Sequence, residues 1–167
     1  PTGCADVTAS ATIVVNAPIT APTLSGDTYC VGETATALDA TTTGATAYLW
    51  SNSATTATLT PSTASAGTTT YSVTVSAPTG CADVTASATI VVNAPPTFTG
   101  TAGCAGGANT GVVSQTATGG NGTYTYGITG GLFGSLANGT YTVTVTSNGC
   151  STTADVTVNC TACVTPT

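Results

Sequence analysis

Between Thr69 and Ser76 the chain alternates at every step, with Tyr71, Val73 and Val75 on one side and Ser72, Thr74 and Ser76 on the other. Successive residues of a strand point to opposite faces, so this rhythm predicts a half-buried β-strand. It returns at 139–146, where Tyr141, Val143 and Val145 form the apolar row. Each run leads into a turn, then Gly-Cys, then a second alternating run. After Ala77-Pro78-Thr79-Gly80 the return is Asp83 to Asn93, with Val84, Ala86, Ala88, Ile90 and Val92 as its buried row. Cys81 is out of phase with that row, which predicts a bulge just after it. After Asn148-Gly149, a strong two-residue hairpin signal, the return is Ser151 to Asn159, with Val156 and Val158 facing in. Weaker candidate strands are 19–24, 33–40, 47–50 and 57–60 in the first half, and 111–118, 122–128 and 132–136 in the second. No window holds a helical period over three turns.

The first return run is written twice. PTGCADVTASATIVVNAP occupies residues 1–18 and again 78–95, a spacing of 77 residues. That period is too long for a solenoid repeat and suits a small all-β module. The expected organisation is a terminal strand of a preceding or incomplete repeat at 1–18, then an immunoglobulin-like module at 19–95. A second module follows at 96–160, and a tail or linker at 161–167. Ala94-Pro95-Pro96 between the modules favours an extended, end-to-end arrangement. On this reading the first copy carries Val7, Ala9, Ala11, Ile13 and Val15 as an apolar face without a sheet of its own, a strand to be completed from outside.

Composition strengthens the β reading. Threonine supplies about a quarter of the chain, and Val is frequent; their branched Cβ favours pleated strands. Twenty Gly and eight Pro punctuate short runs as turns require. The good helix formers are scarce, Met, Lys and Arg being absent altogether. The fold class expected is all-β, as tandem β-sandwich modules with one disulfide each.

Charge narrows the partners. There is no Lys, Arg or His, and six acids remain. Nucleic-acid binding needs cations against phosphate, and an anionic membrane surface needs the same. No apolar run is long enough to span a membrane, so no membrane insertion is expected. A hydroxyl-rich, sparsely charged surface suits a chain that associates with its own kind or carries glycans. Without His or Lys, general bases are limited to carboxylates, and the six are scattered. Neither an enzyme nor a bound cofactor is expected. Asp27 and Glu33, flanking Cys30, are the nearest approach to a Ca²⁺ site, but clustered oxygens are lacking.

The seven cysteines are Cys4, Cys30, Cys81, Cys104, Cys150, Cys160 and Cys163. A zinc site is disfavoured, because no His is present and only Cys160 and Cys163 have C-x-x-C spacing. Disulfides of an extracellular protein, secreted or at a cell surface, are the better reading. Each module holds one early cysteine and one just after its last hairpin turn. The expected pairs are therefore Cys30 with Cys81 and Cys104 with Cys150. Cys4 then lacks its partner, which belongs to the body of the incomplete repeat, and Cys160 and Cys163 are left to pair with each other or with another chain; all three are candidates for bonds between subunits.

Few aromatics are present. Trp50 is expected in the core, and Tyr71 and Tyr141 at tyrosine corners. Tyr124 and Tyr126, with Phe133 nearby, are the candidates for an exposed binding patch. Asn121-Gly122-Thr123, Asn138-Gly139-Thr140 and Asn159-Cys160-Thr161 match the N-glycosylation pattern, though Asn-Gly is also a simple turn pair.

The run CVGETATALDATTTGATAYLWSNSATTATLTPS, closing with TTYSVTVSAPTGC, resembles the immunoglobulin-like and PKD-like repeats of large bacterial surface proteins. The second half, opening CAGGANTGVVSQTATGGNGTYTYGITGG and closing LANGTYTVTVTSNGC, resembles gliding-motility adhesin repeats. The resemblance implies β-sandwich modules in extracellular arrays, serving as spacers, stalks or fibres. Two functions follow as expectations. One is a structural segment or subunit of an extracellular fibre that self-associates end to end. The other is an adhesive module binding a glycan or a partner protein.

Overall fold

The computed structural model describes residues 3, 4, 6–105 and 110–160. Eleven strands and no helix occur among them: β1 (Asp27–Cys30), β2 (Leu38–Asp39), β3 (Ala47–Trp50), β4 (Thr58–Leu59), β5 (Gly67–Ser76), β6 (Val84–Asn93), β7 (Thr97–Cys104), β8 (Gly111–Thr118), β9 (Thr125–Ile128), β10 (Gly139–Ser147) and β11 (Cys150–Val158). Among the described residues no helix is long and apolar enough to cross a membrane. Four sheets result, ordered β1-β6-β5-β3, β2-β4, β7-β8 and β11-β10-β9. The chain divides into two compact units, Pro1–Ser25 with Ala37–Leu59 and Tyr71–Ala88, and Gly26–Thr36 with Thr60–Thr70 and Thr89–Thr167.

In the first unit, β3 runs antiparallel to β5, from Ala47 opposite Ser76 to Trp50 opposite Val73. β2 pairs with β4 through Leu38 and Leu59. The alternation of TTYSVTVS does what its pattern implies: Tyr71, Val73 and Val75 are buried. Trp50 is also buried, and its indole N–H donates to the Thr56 carbonyl at 2.8 Å. A buried indole needs that partner, which fixes the ring as well as filling the core. Residues 19–24 form no strand, and of 33–40 only Leu38 and Asp39 do. Pro18 precedes the first stretch and Pro22 lies within it, and proline withholds the donor that a ladder needs.

In the second unit, β1 runs parallel to β6, with Asp27, Thr28, Tyr29 and Cys30 opposite Ile90, Val91, Val92 and Asn93. β7 and β8 form a long antiparallel pair from Thr97–Thr118 to Cys104–Gly111. β10 pairs with β11 along its whole length and with β9 on its other edge. The core gathers Val113, Leu136, Val143, Val145, Val156, Val158 and Cys160. Residues 132–136 contribute isolated bridges, not a strand; Leu136 and Gly111 exchange backbone hydrogen bonds of 2.8 and 3.0 Å. A Cβ on Gly111 would press on Val158 Cγ1 and on the Leu136 carbonyl oxygen, so glycine lets the backbone approach there.

Residues 6–26 carry no regular structure, although 7–16 spell the same ten residues as β6. Val7, Ile13, Val14 and Val15 are all largely exposed, Ile13 at 86%. In β6 the equivalents of Ala11, Ile13 and Val15 are Ala88, Ile90 and Val92, all buried, Ile90 at 1%. The bulge expected after Cys81 is instead a turn, with the Cys81 N–H donating to the Pro78 carbonyl at 2.9 Å before β6 starts at Val84.

Candidate assembly junction

The two hairpins end in turns that differ in length and in sulfur chemistry. In the second, Asn148 (φ 51°) and Gly149 (φ 80°) connect Ser147 to Cys150. Both central residues have positive φ, which a two-residue hairpin needs to match strand twist and which Asn-Gly tolerates best. Cys150 follows at once, is buried, and is bonded to Cys30 with the Cα atoms 5.7 Å apart. Cys30 is the last residue of β1, opposite Asn93, the last of β6. Asn93 ties three chain segments together. Its Nδ2 donates to the Asn148 carbonyl at 3.3 Å, its own carbonyl accepts from Val31 N at 3.0 Å, and that oxygen lies 3.7 Å from Cys150 Sγ. Glu33 finishes the site by accepting from Cys30 N at 2.8 Å.

The first hairpin turns through Pro78–Cys81, with Gly80 at φ 88°. Asp83 accepts from Ala77 N at 2.9 Å and closes the turn from its far side. Cys81 is a free thiol of intermediate exposure. Its Sγ lies 3.6 Å from the carbonyl oxygens of Asn16 and Ala17. Asn16 Nδ2 donates to the Thr79 carbonyl at 3.0 Å.

Both expected disulfide pairs are therefore corrected. Cys30 bonds Cys150, not Cys81, and Cys104 bonds Cys160, not Cys150. The reason is register. Cys30 stands beside the last residue of β6, whereas Cys81 precedes its first; ten strand residues span about 33 Å, far beyond the ~7 Å that a disulfide bridges. Likewise Cys104 ends β7 opposite Gly111, which meets Leu136 and Val158, at the end of β11; Cys150 begins β11. Cys160, expected to be available between subunits, is buried, and Asn138 grips its backbone from both sides: Cys160 N donates to Oδ1 at 2.6 Å and Nδ2 donates to Cys160 O at 3.0 Å. Cys4 is free and exposed, and Cys163 lies outside the described residues.

The aromatic trio is turned inward. Tyr124, Tyr126 and Phe133 are half-buried against the second unit's core, with Phe98 edge-on to Tyr126 at 6.4 Å. Tyr124 spends its hydroxyl on the Gly119 carbonyl at 2.7 Å. The alternation Tyr124, Tyr126, Ile128 along β9 and its approach is a core pattern, and it replaces the exposed patch expected from these rings. Tyr141 makes the corner bond, donating to the Ala137 carbonyl at 2.9 Å. Tyr71 is buried at the equivalent place.

The acids act locally. Asp27 accepts from Thr28 N, Asp39 from Thr41 N, and Asp155 from Thr142 Oγ1. The side-chain and backbone hydrogen bonds from Thr41 hold the Asp39 carboxyl below its ordinary value. No group of three or more metal-ligating side chains gathers among the described residues. A cavity of about 490 Å³ beside residues 17–22 and 41–44 is lined by Ala, Pro, Ile, Thr and Gly, with no ionisable side chain. Two of the three glycosylation-pattern asparagines are engaged through their side chains. Asn121 Oδ1 accepts from Thr123 N and Ser147 Oγ, and Asn138 holds Cys160.

No family model and no curated protein matches the chain. Solved structures do. Immunoglobulin domains 1–5 of Sidekick-1 superpose with a TM-score of 0.51 at 13% identity, over 87% of this chain and 40% of that one. The titin I-band fragment I67–I69 gives 0.47 at 13%, over 86% and 66%, and Drosophila OTK extracellular domains 3–5 give 0.38 at 12%, over 82% and 59%. The chain thus spans two fifths of the Sidekick-1 fragment it matches. The fold is all-β and immunoglobulin-like, as the alternating hairpins imply.

Proposed function

We propose that this chain is a structural segment of an extracellular array, a fibre or surface stalk of the bacterial kind, built from modules at 19–95 and 96–160 joined end to end. The observation that carries the reading is the Cys30–Cys150 disulfide. It links cysteines 120 positions apart, both in the second compact unit, and on the proposed module boundaries it joins the first strand of 19–95 to the last hairpin of 96–160. A bond placed there serves continuity along an array and contributes nothing to catalysis or to a pocket. The inward-turned aromatic trio and the locally engaged acids support a structural role over glycan binding. Residues 7–16 fit the same scheme. They repeat an interior strand yet lie uncovered, so a neighbouring module completes them, as in assembly by strand donation. The test is negative-stain microscopy of the purified chain beside a variant lacking residues 1–18. Filaments from the first and none from the second support the reading. Equal filaments from both would show that the segment is not the junction, and an absence of filaments from the intact chain under oxidising conditions would overturn self-assembly.

A further inference from the structure

The asparagine contacts around Cys81 repeat those around Cys150, but only Cys150 is bonded. Asn16 and Asn93 are 77 residues apart and occupy the same place in the duplicated run. Each donates its Nδ2 to the carbonyl two residues before a turn cysteine, Asn16 to Thr79 at 3.0 Å and Asn93 to Asn148 at 3.3 Å. The carbonyl oxygen of each lies against that cysteine's sulfur, at 3.6 Å for Cys81 and 3.7 Å for Cys150. At Asn93 a third segment completes the site: β1 lies parallel to Ile90–Asn93, bonds its carbonyl through Val31 N, and delivers Cys30 to Cys150. At Asn16 no such segment pairs among the described residues, and Ile13, Val14 and Val15, the equivalents of Ile90, Val91 and Val92, are exposed.

We infer that Cys81 is a disulfide acceptor for an adjoining repeat, and that residues 13–16 are the segment against which the repeat docks. The occupant is a short parallel strand of the Asp27–Cys30 type, with its cysteine opposite Asn16. Its identity follows from the completed junction, where the same ten-residue strand has β5 of its own hairpin on one edge and Asp27–Cys30 on the other, with Cys30 opposite Asn93. Cys4 stands at the Cys81 position of the first copy, so by that equivalence it is another acceptor and not the donor. The early cysteine of the second module, Cys104, is closed within its own unit by Cys160, whose backbone Asn138 holds, so it is not a donor either. Bond formation joins two thiols with loss of two protons and two electrons. A small-molecule disulfide such as oxidised glutathione takes these up, becoming two thiols, in two exchange steps.

The inference rests on the tandem-array reading but needs no filament, so the two fail separately. The experiment extends the whole chain by placing a second copy of residues 19–77 ahead of Pro1. Because residues 1–18 equal 78–95, the product carries 19–95 twice in tandem. Purified in a glutathione redox buffer, it is alkylated and digested without reduction; trypsin has no Lys or Arg to cut, so a protease specific for aromatic or acidic residues is used. The added copy of Cys30 is expected in a disulfide. Peptides around Cys4 and Cys81 are identical, so two variants assign the partner. Cys81→Ser should leave the added cysteine fully alkylated, with Cys30–Cys150 intact, and Cys4→Ser should leave it protected. An added cysteine that is alkylated in the parent chain, or that is released by Cys4→Ser instead, overturns the inference. Hydrogen exchange supplies a second reading: amides of residues 13–16 should slow at least tenfold in the extended chain, and unchanged exchange there counts against docking.

Discussion

Val84–Asn93 and residues 7–16 are the same ten residues in two states. One is the interior strand of a four-stranded sheet, with Ile90 at 1% exposure; the other has no regular structure, and Ile13 stands at 86%. Propensity is identical by construction, so it decides nothing here. What differs is company. β6 has β1 on one edge and β5 on the other, and each neighbour satisfies a row of backbone groups and covers apolar surface. Strand preference in proteins measures that fit to neighbours more than an intrinsic backbone bias.

The strongest way to break the contrast is to remove the bond that pins β1 to its neighbours. Replacing Cys30 and Cys150 together by Ser should cost about 5 kcal/mol, the chain-entropy value for a loop of 120 residues. Chemical denaturation of the variant beside the parent measures it, and an unchanged midpoint would show that β1 holds β6 without the sulfur. Next comes the shared apolar row. Ile90→Ala should destabilise by about 2–5 kcal/mol, whereas Ile13→Ala should stay within about 0.5 kcal/mol, although the local sequence is the same. Similar losses at both sites would mean that 7–16 is already covered in solution. The smallest effect belongs to the asparagines. Asn93→Ala removes the bond to the Asn148 carbonyl and should cost about 1 kcal/mol, with Asn16→Ala below that. A thermal melt ranks the two, and the reverse order would show that the first junction is the tighter.

Much of the architecture was legible where pattern and turn chemistry agreed. β5, β8, β10 and β11 fall within a residue or two of their expected ranges, because clean alternation and an Asn-Gly turn constrain register locally. β1 and β7 escaped notice. Asp27–Cys30 is too short to show a period, and its pairing is parallel to a strand some sixty residues later. In β7, Gly100 and Gly103 read as turn residues, yet a Cβ at Gly100 would press on Phe98 and on Val156 Cγ2, so glycine serves close packing there. The cysteine pairing departs from what spacing implies for a related reason. Spacing suggested one bond within each module, but partners are chosen by which strand ends lie together. The cue available in the sequence was that Asn93 and Asn159 close equivalent strands, and only the second is followed by a cysteine. The inward fate of Tyr124 and Tyr126 was also present, as alternate positions on one strand face. It was obscured by the glycines around them.

The long-range disulfide also sets how far the polypeptide can be drawn out. Pulled at its two ends, a chain without cross-links would pay out all 167 residues, about 570 Å at ~3.4 Å each. With Cys30 joined to Cys150, tension passes straight through the sulfurs and leaves residues 31–149 slack. About 50 residues remain in the load path, a limit of about 170 Å. Under strain the bond works as a stop: a pull can peel strands apart locally, but it cannot unravel the stretch between the sulfurs until a reductant cuts it.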